Sequence, residues 1–476
     1  MRTRVSFQLI GSFLQIFGYL LIAPVFVGLY YDESLFMLSG FIFSAVMCVT
    51  TGAVLERIGL RKSPSVKEAM FSTVLGWFLA LCFGSIPFLV FDVSIIDALF
   101  EATAGLTTTG ISMFSEPQNL SHSMLFWRSF MQWLGGLGIL TFFIAVIRES
   151  GGVARRLYSA EAHKTDSGSI RPSLEKSIID LWRVYGFLTV VFVAIYIGLG
   201  MPVFDSVLHA FSGISTGGFS IQGSSLAAYG NIIQMVTILL MLTGGINFVL
   251  LYRFLRSDLG PMIRNSEFRL YMLIFTLIGA MTALELVISG AGFQRSLIDG
   301  FFQSAAVISS TGYSTMGIVS LSIFLQVVFI GLMFVGGSLG STAGGWKIFR
   351  LKTMIELLKT RLRAFGLPKS AINEVKIDGE LLENSAVRTI SVLFFTWVSV
   401  VFVSTLVVIL VEDVGLMAAL SGTVSAAGNM GPVYMQQSMM ALEPATKILW
   451  IMVMLAGRLE MLPVLAIFNT ELFKDT

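Results

Sequence analysis

Charge is what this sequence has least of. Only 13% of its 476 residues are Asp, Glu, Lys or Arg, about half the roughly 25% of a soluble domain. With 55% hydrophobic residues, that shortage excludes an ordinary water-soluble fold. Cysteine is nearly absent too: Cys48 and Cys82 both fall inside long apolar runs. Two such residues exclude a disulfide framework and a zinc-ligand spacing, and they read as small buried apolar side chains. His122, His163 and His209 are scattered and make no catalytic or metal constellation. The chain shows no polar catalytic cluster, no cofactor motif and, at a formal net charge of +2, no sign of a nucleic-acid partner. An enzyme is therefore not expected.

What is present in quantity is apolar length. A membrane-spanning helix needs about 20 apolar residues, and ten segments qualify: Val5–Tyr30, Leu35–Leu55, Ala69–Phe91, Met124–Ile147, Ile178–Leu199, Ile232–Phe254, Leu270–Ile288, Leu321–Val335, Val387–Val411 and Ile448–Phe468. The first is too long and continuous for a cleaved signal peptide, and no small-residue cleavage site follows it. Lys and Arg collect in alternate connections: Arg2 and Arg4, Arg57 to Lys67, Arg148 to Lys176, Arg253 to Arg269, and Lys347 to Lys376. The other side holds only Arg128, Arg295 and Lys447. The positive-inside rule then puts both termini and the basic loops in the cytoplasm.

Four segments on the charge-poor side repeat one another: D97ALFEATAGLTTTGIS, D205SVLHAFSGISTGGFS, D299GFFQSAAVISSTGYS and G415LMAALSGTVSAAGNM. Asp97, Asp205 and Asp299 precede Gly110, Gly218 and Gly312 by thirteen residues each. The fourth segment aligns through Gly428, with Asp413 displaced by two. A hydroxyl stands three residues before each glycine, at Thr107, Ser215, Ser309 and Ser425. Each segment is too short to cross and return as a helix, and fixed-period self-similarity is the mark of a repeat architecture.

An Asp near the start of a short helix caps it and meets its positive end. The helix then enters from outside and ends within the membrane, its partly negative carbonyl end facing a cation. Irregular backbone at that depth is tolerated only where it is buried or lines water. Glycine reaches angles that a Cβ forbids, so four such strands can present carbonyl oxygens that replace the water shell of potassium. The expected architecture is an all-α polytopic membrane protein: four pseudo-symmetric span–pore loop–span repeats around a central pore, plus two extra N-terminal spans. The boundaries read 1–66 for the two-span segment, 67–150 for repeat one, 151–265 for repeat two, 266–384 for repeat three with a cytoplasmic extension, and 385–476 for repeat four.

This four-fold unit in one chain resembles the superfamily of Trk, Ktr and HKT potassium transporters. The runs F126WRSFMQWLGGLGIL, G336GSLGSTAGGWK and A456GRLEML are similar to that family's first-repeat second helix, third-repeat gating loop and fourth-repeat final helix. Two spans ahead of the first repeat suggest the Trk branch and its TrkH-like pore subunit. The resemblance implies gated potassium uptake across a bacterial inner membrane, no cofactor, a homodimer, and a cytoplasmic nucleotide-binding regulatory subunit of the TrkA type. It implies a potassium-binding filter at Thr108, Thr109 and Gly110; Thr216, Gly217 and Gly218; Ser310, Thr311 and Gly312; and Ala426, Ala427, Gly428 and Asn429. Glycine rather than serine at position 110 goes, in the family, with potassium preference. Whether transport is channel-like or a symport of potassium with protons or sodium stays open.

The stretch 336–345 cannot easily remain helical, because each glycine costs about 1 kcal/mol relative to alanine. It lacks the Gly-Lys-Ser/Thr ending of a phosphate-binding loop. It reads as a gate, with Gly336, Gly337, Gly340, Gly344 and Gly345 supplying pliable backbone beneath the filter. Arg458, deep in the last span, is costly there and faces the protein interior or water; it reads either as half of a structural ion pair or as the second gate element, a positive charge beside the pore. Glu460 lies on another helix face and is no automatic partner. Glu101, His209 and Gln303 hold equivalent repeat positions and read as hydrogen-bonding residues rather than a proton relay. The basic run 347–364 and a hairpin at V375KIDGELL, turning at Asp378-Gly379, form either a regulator's docking surface or a surface lying on lipid headgroups. A second polar loop runs from Ser150 to Pro172.

Overall fold

Serine and asparagine side chains start many of the helices. Ser34 accepts from Met37 N, Ser94 from Asp97 N, Asn265 from Phe268 N and Ser322 from Leu325 N. Ser65 and Glu68 form a reciprocal capping box. Each satisfies backbone donors that the first helical turn leaves open. The computed structural model describes residues 3–62, 64–149, 174–365, 375–378, 380–435 and 437–466. The polar loop expected at Ser150–Pro172 lies outside the described residues.

The N-terminal segment comprises α1 (Thr3–Leu20), α2 (Ala23–Tyr30) and α3 (Leu35–Ile58). Four helix–short helix–helix units follow. The first is α4 (Val66–Ser85), α5 (Ile95–Leu106) and α6 (His122–Glu149). The second is α7 (Leu174–Gly198), α8 (Val203–Ile214) and α9 (Asn231–Gly245), continued by α10 (Phe248–Leu255) and a single turn, α11 (Gly260–Arg264). The third is α12 (Ser266–Ile288), α13 (Phe293–Ile308) and α14 (Ile323–Val335), followed by α15 (Ile348–Ala364). The fourth is α16 (Asn384–Glu412), α17 (Leu416–Gly428) and α18 (Pro444–Arg458), with a last short helix, α19 (Met461–Ala466). Between α15 and α16, β1 (Lys376–Ile377) pairs antiparallel with β2 (Glu380–Leu381), Lys376 opposite Leu381. Asp378 holds the turn at φ +51°, as the hairpin reading expects; residue 379 lies outside the described residues.

Among the described residues, six helical stretches are long and apolar enough to cross a membrane: Thr3–Tyr30, Leu35–Ile58, Lys67–Phe91, Ile179–Gly198, Ser266–Ile288 and Asn384–Glu412. Large apolar side chains stand exposed on their outer faces, Phe26, Phe43, Phe402 and Leu410 among them, while hydroxyls such as Thr107, Thr109, Ser215, Thr216, Ser309 and Thr311 are fully buried. Apolar residues outside and polar ones inside is the arrangement of a protein solvated by lipid around a polar centre.

Among the described residues, the spans expected at Ile232–Phe254 and Ile448–Phe468 are not continuous helices, the one at Val5–Tyr30 is interrupted at Leu21-Ile22, and the one at Leu321–Val335 forms the 13-residue α14. The span expected at Ile232–Phe254 bends by 112° between α9 and α10. There Gly244-Gly245 weakens the helix, and Asn247 starts a new one by accepting from Val249 N. The span ending at Val335 stops because Gly336 adopts φ +69°. The span expected at Ile448–Phe468 breaks after Arg458, where Glu460 takes φ +65°. Of the second helices of the four units, α6 is the one that runs on without such a break, for 28 residues.

Candidate functional site

The four short helices α5, α8, α13 and α17 end in one backbone motif. The first residue past the helix C-cap in the first three, and the C-cap itself in the fourth, enters the left-handed region: Thr108 (φ +54°), Thr216 (+55°), Ser310 (+57°) and Asn429 (+51°). Two residues on comes a glycine with φ also positive: Gly110 (+79°), Gly218 (+81°), Gly312 (+77°) and Gly431 (+100°). The backbone bonds agree. Thr108 N, Thr216 N, Ser310 N and Asn429 N each donate three residues back, to Gly105, Gly213, Val307 and Ala426. Thr109 N, Gly217 N and Met430 N each donate five back, to Ala104, Ser212 and Ser425.

These four turns pack on one another in a closed ring. A Cβ on Gly110 would meet the carbonyl oxygen of Gly217, one on Gly218 that of Thr311, one on Gly312 that of Met430, and one on Gly431 that of Thr109. Both the positive φ and the neighbouring oxygen therefore require glycine at these positions.

The ring changes the register expected for the fourth segment. Ala426, Ala427 and Gly428 belong to the last turn of α17, and Gly428 stands where Thr107, Ser215 and Ser309 stand in the other units. The counterpart of Gly110 is Gly431, three residues later. Two alanines favour helix, so α17 ends later, and no Asp marks its first turn. The capping role expected of the aspartates is also corrected. Asp97 and Asp205 lie in first turns behind the caps Ser94 and Pro202, and Asp299 sits well inside α13. Their carboxylates instead tie the outer ends together: Asp97 pairs with Lys447 at 2.6 Å, Asp205 accepts from Tyr229 Oη, and Asp299 pairs with Arg295 and accepts from Thr315 Oγ1.

Glu101, His209 and Gln303 brace the strand that leaves each turn. Glu101 Oε2 accepts from Met113 N at 2.7 Å, His209 Nε2 lies 3.1 Å from Ser220 Oγ, and Gln303 Nε2 donates to Met316 O. In the fourth unit Ser421 Oγ does this by accepting from Tyr434 N. Two residues of α6 escaped the sequence reading. Arg128, 2% exposed, donates to Glu101 at 2.8 Å and to Ser112 Oγ, and its guanidinium lies 4.2 Å over the Phe219 ring. Gln132 donates to Gly217 O at 2.7 Å and accepts from Phe219 N and Ser212 Oγ. Their signal was there: two polar residues four apart lie on one face of an otherwise apolar helix.

Directly beneath the ring lies the stretch 336–345. Thr342 Oγ1 donates to Ile214 O, Gly344 N to Ser310 Oγ at 2.6 Å, and Gly345 N to Gly428 O at 2.8 Å. These contacts join it to the inner ends of α8, α13 and α17. Arg458, 3% exposed, completes the set: Nη1 donates to Thr342 O at 2.8 Å and Nη2 to Gly135 O of α6 at 3.0 Å. Arg458 and the glycine-rich stretch therefore stand at one level, in direct contact. Glu460 pairs not with Arg458 but with Arg350, through two 2.9 Å bonds. Lys347 turns back to donate to Ala343 O. A small cavity remains, lined by Ala343, Gly344, Gly345, Lys347, Asn429, Gly457, Arg458 and Glu460.

Known proteins are similar to this chain in sequence and in fold. Residues 87–475 match the family model TrkH, described as a cation transport protein. An uncharacterised cation transporter of Methanocaldococcus jannaschii is 31% identical over 98% of this chain and 95% of its own. The Trk system potassium uptake protein TrkH of Salmonella typhimurium is 27% identical over the whole of both chains. The crystal structure of the potassium transporter TrkH from Vibrio parahaemolyticus superposes with a TM-score of 0.88 at 26% identity, covering all of both chains.

Proposed function

Because this chain belongs to the TrkH family of cation transport proteins, we propose that it takes up potassium as the pore subunit of a Trk system. The observation that carries this reading is the closed ring of four left-handed turns at the inner ends of four short helices. Alternating backbone handedness lets successive carbonyls face one side. The filter is then Thr108, Thr109 and Gly110; Thr216, Gly217 and Gly218; Ser310, Thr311 and Gly312; and, in the corrected register, Asn429, Met430 and Gly431. Carbonyl dipoles there replace the ion's water, and the negative helix ends favour a cation below them. Potassium is the cargo, and no step needs a cofactor.

The stretch from Gly336 through Gly337, Gly340 and Gly344 to Gly345 is the gate, with Arg458 as its fixed charge. A unit charge about 4 Å from the path raises a cation's energy by about 1 to 4 kcal/mol, depending on screening. The chain divides at about the repeat boundaries read from the sequence, sits in the plasma membrane with both termini cytoplasmic, and pairs as a homodimer. A nucleotide-binding subunit of the TrkA type docks against α15 and the hairpin at β1 and β2. Asp378 at the hairpin turn pairs with Lys352 of α15 and accepts from Ser266 N of α12, and the next residue of α12, Glu267, accepts from Leu339 N in the gate. Movement at the docking surface thus reaches the loop.

The test is growth at low external potassium of cells lacking their own potassium uptake, expressing this chain with and without the regulatory subunit, alongside rubidium-86 influx. Rescue with saturable influx is expected. Rescue by sodium alone, or none with the chain verified in the membrane, overturns the reading.

A further inference from the structure

We propose that the side-chain amide oxygen of Asn429 is a cation ligand at the inner end of the filter, a carbonyl-type oxygen where the other three repeats carry a hydroxyl. The inference rests on the potassium-pore reading above and assigns a role to one side chain within it.

Asn429 is fully buried and sits in the left-handed region, which Asn enters more readily than most residues. Its amide is fixed one way round. Both Nδ2 hydrogens are used, on Thr109 Oγ1 and on Met454 O, each at 2.9 Å. Those two acceptors decide the amide orientation, since an oxygen in place of Nδ2 would face a carbonyl. Oδ1 is thereby held in place, and among the described residues it has no hydrogen-bond partner. It lies next to Gly457, at the wall of the cavity beneath the ring.

A buried acceptor without a donor carries its full desolvation cost, so a fixed one in a residue that lines this cavity calls for a partner. The equivalent residues differ. Ser310 Oγ already accepts from Gly344 N, and Thr216 Oγ1 donates to Ser215 O. Only Thr108 Oγ1, in the adjoining repeat, is likewise buried without a partner. Two cations face the same cavity, yet neither binds Oδ1: Lys347 donates to Ala343 O, and Arg458 donates through Nη1 to Thr342 O and through Nη2 to Gly135 O, its Nε being left without a partner among the described residues. A neutral carbonyl-type oxygen is the ligand that potassium selectivity filters use. Lys347 and Arg458 repel an ion there, and occupancy rises as Lys347, which directly follows the gate loop, moves off with it.

The experiment measures rubidium-86 influx against concentration in the same uptake-deficient cells, expressing the chain with its regulator, for wild type, Asn429→Leu and Asn429→Asp. Leucine removes the oxygen and both donors; aspartate keeps an oxygen at Oδ1 and loses the donors. The expected result is a half-saturating concentration raised about tenfold by leucine, as for loss of one polar partner, and unchanged or lowered by aspartate. An equal rise in both variants assigns Asn429 to bracing through Nδ2 and overturns the proposal, as does no rise with leucine. If the leucine variant fails to accumulate, aspartate alone decides, a tenfold rise refuting the ligand role. Absence of influx in wild type refutes the potassium reading instead, so the two failures are distinguishable.

Discussion

The ring and the level beneath it are built on opposite plans. In the ring, four segments of different sequence adopt one backbone: φ at the first turn residue spans only +51° to +57°. Beneath it, the three second helices that break do so differently: α9 bends at Ile246-Asn247, α14 gives way to the glycine-rich stretch, and α18 stops at Arg458. One loop, from one repeat, fills the centre. On the potassium-pore reading proposed above, equivalence belongs where an ion must be surrounded, and difference where one element must move without the others. The supports behind the ring are also unlike. Repeats one and three bridge two hydroxyls, Thr107 to Thr109 and Ser309 to Thr311, at 2.7 Å. Repeat two uses Gln132 from α6, with Gly217 leaving room for it.

The hardest way to break the ring is at its glycines. Gly431→Ser places a side chain at φ +100° against Thr109 O, a conformation costing about 1–2 kcal/mol before any clash. Potassium influx or potassium-over-sodium preference should fall at least about tenfold, as it should for Gly110→Ser. Gly428→Ser, inside α17, should keep the wild-type preference. Paired potassium and sodium uptake in the three variants checks this, and a selectivity loss confined to Gly428→Ser would restore the register first read from the sequence.

A brace behind the ring should matter for stability more than for preference. Arg128→Met leaves Glu101 buried and unpaired, which typically costs about 3–5 kcal/mol. Thermal unfolding of the purified protein should show a marked loss, and Glu101→Gln in the same chain should recover part of it. Independent losses that simply add would mean the pair does not act as a unit.

The mildest change should come from the level below. Arg458→Ala, or deletion within Ser338–Ala343, removes a barrier while leaving every residue of the ring itself in place. Basal potassium flux in liposomes should rise about fivefold, the equivalent of about 1 kcal/mol, with the potassium-to-sodium ratio unchanged. Wild-type closed-state flux in both variants would remove the loop and Arg458 from the gate.

The sequence determined a good deal by itself. Its poverty in charge and its apolar lengths required a membrane protein, because a helix in lipid must satisfy its backbone internally. The Asp-to-Gly spacing of three segments placed three turns of the ring, because a left-handed residue next to a neighbour's carbonyl admits only glycine. Gly336 and Arg458 were visible as a break and a charge that lipid would not tolerate. The tertiary structure decided the rest. Where α17 ends, and so whether Gly428 or Gly431 joins the ring, depends on packing against Thr109 and Gly312, which lie more than a hundred residues away in the chain. That Glu460 meets Arg350 and Arg458 meets two carbonyls depends on which helix breaks beside which. Periodicity reports a residue's own helix face; it carries no information about a partner contributed by another repeat.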